Sequence, residues 1–136
     1  VHGGNGRMGQ SLQRLCDPAS GCSVVAAVSH RVAARVIEGV PQLAATELPG
    51  TPAFDVAIDF SQPDGFDAIL ALCLARGRPL VSGTTGLSAA QAQALEAASR
   101  HIALAWESNF SLGVAVLHAL VERAAGALPG WDCDIV

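Results

Sequence analysis

The chain contains no lysine: all eight of its basic residues are arginine. No side-chain amine is therefore available for a Schiff base or as a general acid. Basic clustering is also missing. Arg76 and Arg78 form the only close pair, and without a basic stripe or block nucleic acid is not expected as a partner. The four cysteines (Cys16, Cys22, Cys73, Cys133) include no Cys-x-x-Cys, and no His/Cys/Asp group has metal-ligand spacing. No metal site is expected, nor a disulfide framework in so core-rich a chain. Cys16 and Cys73 fall within helical apolar patterns, where a free thiol behaves as a small hydrophobe. The expected setting is reducing and cytoplasmic. No signal peptide is read, and no apolar run is long enough to span a bilayer, so no membrane is expected as a partner.

What is present suits one compact α/β domain. The chain has 136 residues, 51% of them hydrophobic, and a net charge of −4, enough apolar material for a core and too much for disorder. Short apolar runs alternate with longer helical patterns. Val1-His2 reads as the stub of a first strand, and Arg7 to Leu15 as a helix with Met8, Leu12 and Leu15 on one face. Strands are expected at Ser23 to Val28, Val56 to Phe60, Leu80 to Ser82 and Ile102 to Trp106. Helices are expected at Pro63 to Ala75 (Phe66, Ile69, Leu70 and Cys73 on one face), at Ser88 to Ser99 and at Leu112 to Leu128. Pro63 suits a first helical turn, and Ser88 with Gln91 reads as a capping box. In the last helix Leu117, Leu120 and Val121 are expected to face inward, with Pro129-Gly130 ending it. Val32 to Ala53, punctuated by Gly39, Pro41, Pro49, Gly50 and Pro52, reads as a loop with at most one short helix or strand.

This alternation implies a doubly wound, Rossmann-type parallel sheet with helices on both faces and right-handed crossovers. Ligands of such sheets lie at the carboxyl ends of the strands. Both chain ends read as cut. A strand feeding a glycine loop should have about 5 residues, and Asp132 to Val136 reads as a strand beginning, the connection to an absent substrate domain.

Five strand-end loops carry the chemistry. Gly3-Gly4-Asn5-Gly6-Arg7-Met8-Gly9 places glycines three apart between strand and helix. Such glycines allow a tight turn, backbone approach to a pyrophosphate and close helix–strand packing, with helix-start N–H groups aimed at the phosphates. The spacing is Gly-x-x-Gly-x-x-Gly, a variant of the common dinucleotide fingerprint. Ser29-His30-Arg31 stands about 20 residues on, where an NAD-preferring enzyme places a carboxylate on the ribose 2′-hydroxyl. Hydroxyl, imidazole and guanidinium there suit a 2′-phosphate, with Arg31 as a forked donor, so NADPH is favoured over NADH. The third and fourth loops are Asp59-Phe60-Ser61-Gln62-Pro63 and Gly83-Thr84-Thr85-Gly86, the latter bringing hydroxyls and bare backbone to a ligand edge. The fifth, Glu107-Ser108-Asn109-Phe110-Ser111, offers an amide and an aromatic ring to a nicotinamide, although Asn109 and Ser111 also suit a helix cap. Asp59 reads as a structural acceptor. His2, His101 and His118 read as structural or exposed.

Taken in order, these segments resemble the dihydrodipicolinate reductase (4-hydroxy-tetrahydrodipicolinate reductase) family of lysine and diaminopimelate biosynthesis. The resemblance is carried by Gly3 to Gly9, by Phe54-Asp55-Val56 through Ile58-Asp59-Phe60-Ser61 with Pro63 and Gly65, by Gly83-Thr84-Thr85-Gly86 and by Asn109-Phe110-Ser111-Leu112-Gly113-Val114. It implies a cofactor site of Gly3, Gly4, Asn5, Gly6, Arg7 and Met8 at the pyrophosphate, and Ser29 and His30 near the adenosine ribose, to which Arg31 is added for its charge. It puts Gly83, Thr84 and Thr85 with Glu107, Ser108, Asn109 and Phe110 near the nicotinamide, and Phe60 and Ser61, in the third loop, are added as cofactor-site candidates. It implies hydride transfer from NADH or NADPH to a cyclic imine-derived small molecule. Two positions depart from the family pattern: Ser29, where an acidic residue is common, and Glu107, where small residues or proline are usual. The family's His-His-x-x-Lys and Ser-Gly-Thr substrate segments, and most of its tetramer contacts, would lie beyond Val136. No catalytic residue is therefore expected in this chain, which alone should bind cofactor without turnover. A related homoserine- or aspartate-type dehydrogenase and a non-catalytic dinucleotide-sensing module remain as alternatives.

Overall fold

A computed structural model describes residues 1–132 of the chain. The strand start expected at Asp132 runs out of the described residues. Helix α1 (Arg7–Leu15) has no β-branched residue and starts from Gly6 in extended conformation, with no side chain capping it. It stops at Cys16, where the backbone becomes extended again. Asp17 then accepts the Ala19 N–H at 2.9 Å, Pro18–Ser20 form a 3-10 turn, and Gly21 reverses the chain at φ 77°.

Strand β1 (Ala27–Ser29) is shorter than the expected Ser23 to Val28 run. Only these three residues find a parallel partner, in β3. Strands β4 (Ala57–Asp59) and β6 (Leu104–Trp106) are likewise shorter than their apolar runs, while β5 (Leu80–Ser82) matches.

The segment expected as a loop from Val32 to Ala53 instead holds a hairpin. Strand β2 (Val36–Ile37) pairs antiparallel with β3 (Val40–Ala44), and a 3-10 turn follows at Ala45–Gly50. Its two-residue connection has both residues at positive φ, Glu38 at 50° and Gly39 at 81°. A primed hairpin turn needs this geometry, but it is usually announced by Asn-Gly or Asp-Gly. Glu-Gly, followed by Pro41 inside the strand, concealed it.

His2 bridges Val28 on one side and Asp59 on the other, both in parallel sense. The spatial order is therefore β2–β3–β1–His2–β4–β5–β6, all parallel except β2. The chain first runs outward from His2 to β1 and β3, then returns to the other side of His2 for β4, β5 and β6. Right-handed crossovers put α1 on one face and α2 and α3 on the other. The reversal falls beside the glycine loop, the position at which doubly wound sheets hold their ligands.

The core lies on the α2 side. Helix α2 (Pro63–Arg76) begins with Pro63 at its first turn and ends at Gly77, left-handed at φ 58°. The Gly77 N–H reaches the Cys73 and Leu74 carbonyls, and the Arg78 N–H returns to Cys73 O at 2.9 Å. Phe66, Ile69, Leu70 and Cys73 are all buried, packed with Val28, Leu48, Ala57, Leu80, Ala98 and Ile102. Each Val, Leu, Ile or Phe in this set contributes about 1.5–3 kcal/mol when fully buried. Arg76 fastens the 3-10 turn region to this helix through the carbonyls of Pro49, Thr51 and Pro52 at 2.8–3.1 Å, and lies over the Phe54 ring. Helix α3 (Ala89–Ala98) carries the expected box: Ser88 Oγ accepts the Gln91 N–H at 3.2 Å, and Gln91 Oε1 accepts the Ser88 N–H at 3.0 Å.

Two helical faces do not bury as expected. In α4 (Leu112–Ala127) Leu117, Leu120 and Val121 are 56%, 59% and 40% exposed, and no residue of the helix is buried. The helix follows β6, an edge strand whose Ala105 and Trp106 are themselves exposed, so no described surface covers its apolar stripe. On α1, Met8 and Leu15 share a face but are exposed, and only Gly9 is buried.

Candidate functional site

The glycine loop is held by its own backbone. The Gly3 and Gly4 N–H groups both donate to Val28 O, at 2.9 and 3.0 Å, and the Gly6 N–H donates to Gly3 O at 3.0 Å. Gly3 sits at φ 79°, where a side chain is strained. A Cβ on Gly9 would run into the Gly3 carbonyl oxygen and the Gly4 backbone, so the first turn of α1 can lie on the loop only without one. With no side chain at the N-cap, the first-turn N–H groups and the positive end of the helix dipole face outward at exposed Gly6 and Arg7.

Three glutamines brace this loop from outside. Gln10 Nε2 donates to Asn5 O and Gln13 Nε2 to Gly4 O, at 2.9 and 2.8 Å, while Gln42 Nε2 donates to Gln13 Oε1 at 2.9 Å. Sequence reasoning missed all three. Gln10 and Gln13 lie on a helix turn next to the glycines, which was a usable signal; Gln42, at 3% exposure in the unrecognised strand β3, gave none.

Ser29 ends β1 beside the loop. Its buried hydroxyl accepts the Asn5 N–H at 2.9 Å, and the Asn5 amide donates to the Arg31 carbonyl. The second loop is thus tied to the first through Asn5, with the side chains of His30 and Arg31 exposed.

Below the loops lies a buried carboxylate. Asp59 is 0% exposed, and its two oxygens accept four hydrogen bonds. His2 Nδ1 at 2.8 Å and the Ser61 N–H at 3.1 Å reach Oδ1; Ser82 Oγ at 2.7 Å and Thr84 Oγ1 at 2.8 Å reach Oδ2. An ionised carboxylate only accepts, so His2 carries its proton on Nδ1. Burial by itself pushes this carboxyl up, but the bonds from His2, Ser61, Ser82 and Thr84 outweigh it and hold the group at about 2. Asp59 is therefore a saturated structural acceptor at neutral pH. The row continues outward, because Trp106 Nε1 donates to Thr84 O at 2.9 Å. One polar chain thus joins the ends of β6, β5 and β4 to His2. His2 is structural, as expected, but its place in this row has no local sequence signal, since its partner lies 57 residues away.

Above the carboxylate, the Phe60 and Phe110 rings meet edge to face with centroids 5.7 Å apart. Phe60 covers Gly83 so closely that a Cβ there would collide with the ring. Ser61 and Thr84 are joined beneath them, while Thr85 is exposed beside them. Asn109 Oδ1 accepts the Ser111 N–H at 2.8 Å, and Glu107 Oε1 accepts the Ser108 N–H at 2.9 Å. These two side chains fold onto their own exposed loop, and the Ser111 side chain does not cap α4. His30, His101 and His118 are exposed.

All five loops therefore share the carboxyl edge of the sheet. The larger cleft, 370 Å³, lies at the opposite edge, between Val25-Ala26 and Phe54 to Val56. A smaller one of 160 Å³ lies beside Gly4, Asn5, Gln13 and Glu38. No group of metal-ligating side chains occurs among the described residues, and none of their helices is long and apolar enough to cross a membrane.

Strand order, switch-point loop and open helix start define a doubly wound α/β domain of the dinucleotide-binding class. Residues 1–110 match the family described as dihydrodipicolinate reductase, N-terminus, and the chain belongs to that family. Over its whole length it is 65% identical to a 4-hydroxy-tetrahydrodipicolinate reductase of Stenotrophomonas maltophilia (strain R551-3). It is 64% identical to that of Xanthomonas euvesicatoria pv. vesicatoria (strain 85-10) and 59% to that of Xylella fastidiosa (strain M23). The chain spans 58% of the length of each of these relatives.

Proposed function

We propose that this chain is the cofactor-binding half of an NAD(P)H-dependent 4-hydroxy-tetrahydrodipicolinate reductase of lysine and diaminopimelate biosynthesis. The observation that carries the reading is the glycine loop at the switch point, with its uncapped α1 start and the tight Gly9–Gly3 approach. That cradle fits a pyrophosphate: Gly3, Gly4, Asn5 and Gly6, their own N–H groups already bonded within the protein, would shape it, and the uncapped first-turn N–H groups of Arg7 and Met8 would receive it. Ser29, His30 and Arg31 would take the adenosine ribose. Phe60, Ser61, Gly83, Thr84, Thr85, Glu107, Ser108, Asn109 and Phe110 would line the nicotinamide end. When bound, the dinucleotide supplies a hydride to the substrate. Asp59, ionised and fully engaged, holds Ser61 and Thr84 in place and gives up no proton. Proton donation and the grip on the substrate's carboxylates would fall to a substrate domain in the part of the relatives' length that this chain does not span, and a homotetramer would form through that domain.

NADPH is the favoured dinucleotide because exposed Arg31, just past the end of β1, would supply a charge-assisted fork and the Ser29-His30-Arg31 loop itself carries no carboxylate to repel a 2′-phosphate. Calorimetric titration of the chain with NADPH and NADH at low salt tests both levels. NADPH should bind more tightly, and Arg31→Ala should weaken NADPH about tenfold while leaving NADH within twofold, the loss expected of one charge-assisted contact. Tighter NADH binding overturns the preference; binding of neither overturns the cofactor reading. The chain alone should show no reductase turnover.

A further inference from the structure

Cys16 and Cys22 stand outside the site described above. The Cys22 thiol donates to the Cys16 sulfur with the two Sγ atoms 2.8 Å apart, and both cysteines are free. Cys16 ends α1, its N–H still bonded to Leu12 O at 2.9 Å. Asp17 and Pro18 then start the 3-10 turn, and Gly21 at φ 77° brings the chain back so that Cys22 faces Cys16. The Gly21 N–H donates to Pro18 O at 3.0 Å, which closes this turn. A disulfide holds its sulfurs at about 2.0 Å, so the remaining approach is less than an ångström. Cys22 is exposed to reagent and Cys16 half-buried behind it, whereas Cys73 is 0% exposed within the core.

We propose that Cys16 and Cys22 are a modification site: a dithiol that closes to an intramolecular disulfide when the chain meets a low-molecular-weight disulfide such as oxidised glutathione. The Cys22 thiolate attacks one sulfur of the reagent, forming a mixed disulfide and releasing one small thiol. Cys16, after losing its proton to water, attacks Cys22 Sγ and releases the second small thiol. The two protein thiols are oxidised, and the reagent's disulfide is reduced to two thiols. The site lies at the far end of α1 from the glycine loop, so it stands independently of the dinucleotide reading.

The test is equilibration of the whole chain in mixtures of oxidised and reduced glutathione, followed by acid quenching, alkylation and mass spectrometry. Trypsin, cutting after Arg14 and Arg31, leaves both cysteines on one peptide, and acid cleavage of the Asp17–Pro18 bond separates them. That peptide should appear two hydrogens lighter, resist alkylation and stay joined after Asp17–Pro18 cleavage. Its closure constant should be about tenfold larger in the folded chain than in denaturing urea, about 30 mV in reduction potential, and the oxidised chain should melt at a higher temperature than the reduced. Cys22→Ser should abolish the two-hydrogen loss. A stable glutathione adduct on Cys22 with Cys16 still alkylatable overturns the proposal. So do equal closure constants in folded and unfolded chains, or an absence of reaction at Cys22.

Discussion

Helices α2 and α4 are built from similar material and end up in opposite surroundings. Both follow a short parallel strand, and both carry apolar residues at helical spacing. In α2 that stripe meets β4, β5, α3 and the 3-10 turn at Ala45–Gly50, and Phe66 reaches 0% exposure. In α4 the same kind of stripe leaves Leu117 56% exposed beside a sheet edge that is bare. The difference teaches that periodicity specifies which residues share a face, while a second surface decides whether that face is buried.

The largest expected effect cuts into the packed side. Phe66→Ala should destabilise the chain by about 3–5 kcal/mol in urea denaturation, whereas Leu117→Ala in α4 should stay within about 0.5 kcal/mol. Comparable losses from the two would dissolve the contrast. Next comes acid. Asp59 has a folded value of about 2 against an ordinary 3.8. Its contribution, about 2 kcal/mol by linkage, is fully present above about pH 4 and is lost as pH falls through about 2. Asp59→Asn should flatten that limb of the stability–pH curve. The smallest effects concern glycines. Gly77→Ala, forced into a left-handed α2 cap, should cost about 1–2 kcal/mol. Gly126→Ala, with nothing within 4 Å of its would-be Cβ, should instead raise the helicity of α4, by up to about 1 kcal/mol of propensity, measured by far-ultraviolet circular dichroism.

Much of this architecture was legible because its signals are local. Pro63 opens α2, Ser88 and Gln91 open α3, and glycines three apart mark the loop at the switch point. The family resemblance rested on the strand-end loops, and the residues 1–110 match bears it out. What escaped depends on distant partners. The β2–β3 hairpin hid behind a Glu-Gly turn and Pro41, β1, β4 and β6 are shorter than their apolar runs, and the apolar stripe of α4 meets no covering surface among the described residues. The closeness of Cys16 and Cys22 required the 3-10 turn between them. Asp59 could be read as an acceptor, but its donors come from residues 2, 61, 82 and 84, which only the parallel register brings together.

The bond from the Trp106 indole to the Thr84 carbonyl also gives the molecule a built-in optical probe. The chain has two tryptophans and no tyrosine, so its near-ultraviolet emission comes from Trp106 and Trp131. Trp131 is 75% exposed, whereas Trp106 is anchored at 2.9 Å to the residue that also touches Asp59. With Trp131→Phe as background, the emission colour of one indole follows the state of the Gly83 to Gly86 loop, in real time and without a label.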